Sequence, residues 1–254
     1  KATLEKTGRF TVDVATTPPA KSPKADWDNF RPAFSKYDVV LSNYNGDSWP
    51  DEVNSGLEKF VTGGGGLVII HAANNSFSDW AEYNKMIGLG WRDNKFGDRI
   101  TLDDDGKIVR TPKGEGPSAG HGPQHEFKVV VRDGEHPVTK GMPKEWLHAR
   151  DELYQGQRGP AENMHILATA FAAKEEDGTG TNEPMIWWIP YGKGRVFTTL
   201  MGHVGGKDDP AIRCVGFQTV MARGCEWAAT GKVTLPIPGN FPTASECKLA
   251  EGEK

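Results

Sequence analysis

The sequence is poor in cysteine: Cys214, Cys225 and Cys247 are the three in 254 residues. Their spacing fits no zinc motif. On a helix over residues 210–229, Cys214 and Cys225 share a face but lie ~16 Å apart along it, too far for a disulfide. That leaves a Cys225–Cys247 link open and reads Cys214 as a plain core residue. No apolar run approaches the length of a membrane span. Long runs of lysine and arginine are absent too. With a net charge of −4 and a pI near 6.0, the chain carries no electrostatic footprint for nucleic acid. No nucleotide cofactor is indicated, no signal or targeting segment is visible, and no internal repeat or second core behind a linker divides the chain. The expectation is one large domain over residues 1–234 with a surface tail over 235–254.

What is present fits a globular, soluble protein: 37 % hydrophobic and 25 % charged residues, with 31 glycines and 17 prolines that imply many loops. Residues 1–7 read as the end of a helix with Gly8 as its C-cap. A doubly wound domain normally opens on a strand, so the first strand is expected upstream of residue 1.

The stretch Gly63-Gly64-Gly65-Gly66-Leu67-Val68-Ile69-Ile70-His71-Ala72-Ala73-Asn74-Asn75 is the most informative. A short unbroken apolar run reads as a strand buried on both faces. In open α/β sheets, ligands sit beyond the carboxyl ends of such strands, which is where His71 falls. Before it come an alternating strand at 10–15, a Pro-rich loop, one or two helical turns at 26–34 and a strand at 37–42. A helix follows Pro50, with Val53, Leu57, Phe60 and Val61 on one face. After it, residues 79–87 read as a helix behind Ser78. This order predicts a parallel sheet with right-handed crossovers. Residues 88–124 show little periodicity, as functional or mobile loops do. Strands are expected at 127–131, 164–171, 185–189 and 195–200, whose shorter connections are compatible with antiparallel pairs. A last long helix starts at Pro210.

Gly202-His203 repeats the pattern of His71: a histidine closing an apolar strand. If both strands run parallel, both imidazoles enter one crevice, where they can hold a metal or act as general acid and base. His125 precedes a strand and can reach the same crevice from the other side; His121 is a weaker candidate. Alternation across residues 151–154 separates Asp151 and Leu153 from Glu152 and Tyr154, and Glu152 is favoured as the carboxylate facing the site. Trp91 offers a platform for a sugar ring. Asn43, Asn74 and Asn75 follow strands and offer amides to hydroxyl-rich ligands. Adjacent Trp187 and Trp188 must point to opposite sheet faces.

Together, Gly-Gly-Gly-Leu-Val-Ile-Ile-His-Ala-Ala-Asn at 64–74, His-Pro-Val-Thr-Lys-Gly-Met-Pro at 136–143, Asp-Glu-Leu-Tyr at 151–154 and Tyr-Gly-Lys-Gly-Arg-Val-Phe-Thr-Thr-Leu-Met-Gly-His at 191–203 resemble the ThuA-like (trehalose utilisation) family. The resemblance implies an α/β fold of the flavodoxin-like, class I glutamine amidotransferase-like kind: a three-layer sandwich with a mostly parallel sheet. In those amidotransferases a cysteine nucleophile follows the Gly-led strand and a histidine follows a late one. Here His71 and His203 hold those places with no cysteine near, and thiolate acyl transfer needs a thiolate. The resemblance implies an enzyme acting on a small carbohydrate, a disaccharide or an oxidised (keto) glycoside. His71, His203 and His125 would be ligands of a divalent metal, zinc or manganese. His71, His203, Glu152 and His125 would carry catalysis, and Trp91, Asn74, Asn75, Asn43 and Tyr154 would bind substrate. A non-catalytic carbohydrate-binding or scaffold domain is the competing reading. The resemblance implies a periplasmic or secreted location, with the cytoplasm as alternative, and leaves a homo-oligomer open.

Overall fold

In the computed structural model of the chain, residues 1–206 and 209–251 are described. After two single-turn helices, α1 (Ala2–Glu5) and α2 (Lys24–Trp27), the chain runs β1 (Val39–Ser42), α3 (Asp51–Thr62), β2 (Gly66–Ile70) and α4 (Ala81–Ile87). Then come β3 (Arg99–Leu102), β4 (Ile108–Thr111), β5 (His125–Val131), β6 (Glu145–Asp151), β7 (His165–Phe171), β8 (Asn182–Tyr191) and β9 (Gly194–Thr199). Helices α5 (Pro210–Arg213) and α6 (Val215–Thr230) follow.

The strands form one sheet in the order β1-β2-β9-β8-β7-β5-β6, with the β3–β4 hairpin attached to β8. β1, β2 and β9 are parallel, and every other pairing is antiparallel. The sheet is therefore mixed, not the mostly parallel sandwich expected. The reason lies in the connections. A parallel neighbour needs a crossover of a dozen or more residues, usually a helix. β8 and β9 are joined by Gly192 and Lys193 alone, and no helix links β5 to β6 or β6 to β7.

Around β2 the burial is two-sided, as its apolar run requires. Leu67 and Ile69 pack with Val53, Leu57 and Val61 of α3. Val68 and Ile70 pack with Phe217 and Val220 of α6. The helix lies directly on the strand: a Cβ on Gly66 would stand 2.5 Å from the backbone carbonyl carbon of Ala228. Trp187 and Trp188 do diverge, Trp187 into the core with its indole N–H on the Ile87 carbonyl and Trp188 against Trp227 and His165. No helix among the described residues is long and apolar enough to cross a membrane.

Several local expectations are corrected. Residues 10–15 form no strand; Phe10 and Val12 pack on the core without a β partner. Helix α4 starts behind Trp80 with no side-chain cap. The 88–124 segment holds the β3–β4 hairpin, and the buried Arg158 guanidinium donates to the carbonyls of Glu115 and Pro117. The last helix is broken in two at Cys214, whose ψ of 121° is not helical. The thiol facing Cys247 is Cys214, at 3.8 Å, while Cys225 is buried elsewhere on α6. The described residues beyond α6, 231–251, are anchored: Phe241 is buried, and the Thr243 carbonyl accepts from Leu147 N–H at 2.8 Å, covering the free edge of β6.

Candidate functional site

Because β2 and β9 are parallel neighbours, with Ile70 opposite Thr199, both chains leave the sheet at the same edge. His71 follows β2 at once, in the left-handed region with φ 44°, a conformation a non-glycine residue adopts only where the surroundings impose it. The His71 ring is buried, and its Nδ1–H donates to the Leu200 carbonyl at 2.7 Å. That bond makes Nδ1 the donor to the backbone and turns Nε2 toward Glu152 and His203. From the other strand, His203 brings Nδ1 to 3.3 Å from His71 Nε2, with the two rings nearly perpendicular.

Glu152 completes the group. Its Oε2 lies 3.5 Å from His71 Nε2 and 3.2 Å from His203 Nδ1. Its Oε1 lies 3.6 Å from His121 Nε2. The His71 imidazole, aided by His121 and His203 and against the cost of burial, holds the Glu152 carboxyl below the usual carboxylate range. Tyr154 lies behind the cluster, its ring centroid 4.3 Å from that of His71. Burial pushes its phenol up to about 12, only partly offset by Asn75, so it stays a neutral donor. Trp91 and His121 extend the aromatic wall, with centroids 4.7 and 6.1 Å from that of Tyr154.

Beneath the cluster, the fully buried Asp151 carboxylate accepts from the backbone N–H of Glu152 (2.7 Å), Gly202 (2.7 Å) and His203 (3.2 Å). One side chain thus ties the loop after β9 to the end of β6. Gly202 suits that loop: its φ is 107°, and a Cβ there would meet the Phe217 ring at 2.6 Å. The fourth donor to Asp151 is His148, at 2.8 Å. Burial alone would lower the His148 pKa, but its bonds to Asp151 and Cys214 override that and push it up to about 9. It is an imidazolium, and its charge in turn keeps Asp151 ionised despite complete burial.

The structure thus brings together His71, His203, Glu152, Tyr154 and Trp91. It does not bring His125, whose Nδ1–H donates to the Pro123 carbonyl and whose ring rests on Phe127. His121, the weaker candidate in sequence, arrives instead. Asn74 is buried with its amide on Gln157, and Asn75 sits beside Tyr154. Asn43 is exposed past the end of β1. Sequence reasoning missed Asp151 and His148 as organisers. They are three apart in β6, a spacing that puts strand residues on opposite faces unless a bulge intervenes, as the register shift opposite His125 and Phe127 shows here.

Among the described residues, His71, Glu152 and His203 are the group with ligand atoms close enough to share a metal ion. Their three separations, 3.2, 3.3 and 3.5 Å, make a nearly equilateral triangle. With ligand bonds of about 2.0–2.2 Å, the edges of a tetrahedral site measure roughly 3.3–3.6 Å. Two imidazoles and a carboxylate also form the donor set of catalytic zinc sites that keep one position open. The residues present therefore fit a divalent ion. Beside His203 opens a cavity of about 230 Å³ lined by Gln124, Arg150 and Asp209 among others.

A family model described as ThuA, trehalose utilisation, matches residues 2–228. The crystal structure of a ThuA-like protein from Parabacteroides merdae is 43 % identical, with a TM-score of 0.92, over 98 % of this chain and 91 % of that one. A ThuA-like protein from Bacteroides uniformis is 19 % identical with a TM-score of 0.51, over 80 % and 77 % of the two chains; that likeness speaks for the fold alone. The comparison with curated proteins finds no match.

Proposed function

The chain belongs to the ThuA (trehalose utilisation) family, and from that premise we propose that it is an enzyme of carbohydrate metabolism. Its substrate is a disaccharide or an oxidised (keto) glycoside, and His71, Glu152 and His203 would hold a divalent ion, zinc or manganese. The observation that carries the reading is the ligand triangle, whose edges match those of a tetrahedral site. Bound there, the ion would supply Lewis-acid polarisation of a sugar carbonyl or hydroxyl, easing hydrolysis, elimination or isomerisation.

The chain's own residues divide the remaining work. Leu200 holds the His71 ring through Nδ1, so Nε2 is the atom turned toward Glu152 and His203. His121, at the exposed rim with its Nε2 beside Glu152 Oε1, is placed to take a proton from substrate and return it. Trp91 offers an aromatic face to the apolar side of a sugar ring. The cavity beside His203 gives room for a ring or leaving group. Asp151 keeps Glu152 and His203 in register through their backbone.

The test is metal analysis of the purified protein, followed by a turnover screen on keto-sugars with and without chelator. His71→Ala should abolish turnover while leaving the circular dichroism of the folded chain unchanged; wild-type rates in that variant would refute the role of His71. Sugar binding without turnover, surviving loss of both His71 and His203, would instead mark a non-catalytic carbohydrate-binding domain.

A further inference from the structure

Outside the site, one pair of nucleophilic side chains has no part in the proposed chemistry. Cys214 and Cys247 are 33 residues apart, yet their sulfurs stand 3.8 Å from each other. The contact is built by backbone pairing. Val215 N–H donates to the Lys248 carbonyl at 2.8 Å, and Ala250 N–H to the Arg213 carbonyl at 2.7 Å. Cys214 itself bridges to Leu249 across this short antiparallel pairing. The break between α5 and α6 falls at Cys214, where the C-terminal segment crosses.

The two thiols are unequal. Cys214 is buried at the N-terminus of the 16-residue α6. The His148 ring lies beside it, and the buried His148 Nδ1 has no nitrogen or oxygen partner. The hydrogen bond from Cys247, the His148 imidazolium and the Phe217 N–H hold the Cys214 thiol well below its ordinary value, against the opposing effect of burial. Cys247 is half-buried on the outer side, and its thiol is pushed up by the neighbouring Cys214 sulfur and by burial. The third cysteine serves as an internal control: Cys225 lies fully enclosed in α6, and burial pushes its thiol up to about 12.

We propose that Cys214 and Cys247 are a redox-active pair that closes as a disulfide, fastening the C-terminal segment across the start of α6. The proposal goes beyond the carbohydrate reading and does not depend on it.

The co-reactant is a low-molecular-weight disulfide, RSSR. The outer Cys247 thiol passes its proton to the Cys214 thiolate across the hydrogen bond between them and, as the thiolate, attacks one sulfur of RSSR. This forms a mixed disulfide, and the departing RS⁻ takes that proton from Cys214. The Cys214 thiolate then attacks Cys247 Sγ, expelling the second RS⁻. That group takes the proton His148 gives up as its anionic neighbour disappears. Two thiol groups are oxidised and one RSSR is reduced to two RSH, so electrons and protons balance. The buried thiolate is the resolving nucleophile, which is why it needs no direct access to solvent.

The experiment is equilibration of the full-length protein with glutathione buffers of increasing oxidised fraction. Acid quench, alkylation and peptide mass mapping then follow. The expected result is loss of two of the three free thiols together, with Cys214 and Cys247 peptides linked, Cys225 alkylated, and thermal unfolding shifted upward in the closed form. Cys247→Ser, a half-buried position that the fold should tolerate, should abolish the linkage; Cys225→Ser should leave it intact. A glutathionylated Cys247 that persists without closing, a link involving Cys225, or three free thiols in fully oxidised buffer would each overturn the proposal.

Discussion

At the scale of single residues, the site depends on charges hidden from water. Asp151 accepts four hydrogen bonds while fully buried, three from the backbone of residues that place Glu152 and His203. Asp151→Asn would set an amide N–H against some of those donors and take from the His148 imidazolium its buried carboxylate partner. Breaking a buried charged pair costs about 3–5 kcal/mol, so the urea midpoint of Asp151→Asn should fall by a corresponding amount; a change near zero would contradict this role. A second residue gives a pH signature. His136 packs on the rings of Trp188 and Trp227 and accepts from Val138 N–H at Nδ1. Burial pulls it down to about 4, with His165 acting the same way and Asp133 opposing. Its folded value lies below that of the free imidazole. Its contribution to stability is therefore complete above pH 6.5 and is lost as pH falls toward 4. After allowing for partial exposure, that loss should amount to about 1 kcal/mol. His136→Asn keeps the acceptor and removes the titration, so its urea midpoint should vary less than wild type between these pH values. At this scale the sequence showed much: strand ends pointed to His71 and His203, and alternation chose Glu152 over Asp151. It failed between His121 and His125, because a loop fold, not a periodicity, decides which imidazole reaches Glu152.

At the scale of elements, the legible parts were those whose burial is set locally. The four-residue apolar run behind glycine became β2, and the spacing of Val53, Leu57 and Val61 became the buried face of α3. The illegible parts were decided by distant partners. Residues 10–15 alternate like a strand but find no neighbour to pair with. The helix expected as one piece breaks at Cys214 because the C-terminal segment hydrogen-bonds there. Close packing of α6 on β2 gives the prediction at this scale. Gly66→Ala places a methyl 2.5 Å from the carbonyl carbon of Ala228, and backbone cannot yield as a side chain does. Overpacking of this kind costs about 1–3 kcal/mol, so chemical denaturation should show Gly66→Ala destabilised within or above that range. Wild-type stability would mean that α6 does not lie against β2 as described.

For the molecule as a whole, the α/β class and the crevice at the carboxyl ends of β2 and β9 follow from the sequence, but the mixed sheet does so only in part. The two-residue link Gly192-Lys193 marks an antiparallel hairpin, whereas the attachment of β7, β5 and β6 beyond β8 depends on pairing across long stretches of chain. What the full fold achieves is to bring three ligand atoms from residues 71, 152 and 203 into one triangle. The most direct measurement is anomalous diffraction from crystals of the protein grown with zinc, recorded on both sides of the zinc edge. The account predicts one strong anomalous peak bonded to His71 Nε2, His203 Nδ1 and a Glu152 carboxylate oxygen, absent in Glu152→Gln. Zinc bound elsewhere, or no peak within bonding distance of those three atoms, would contradict it.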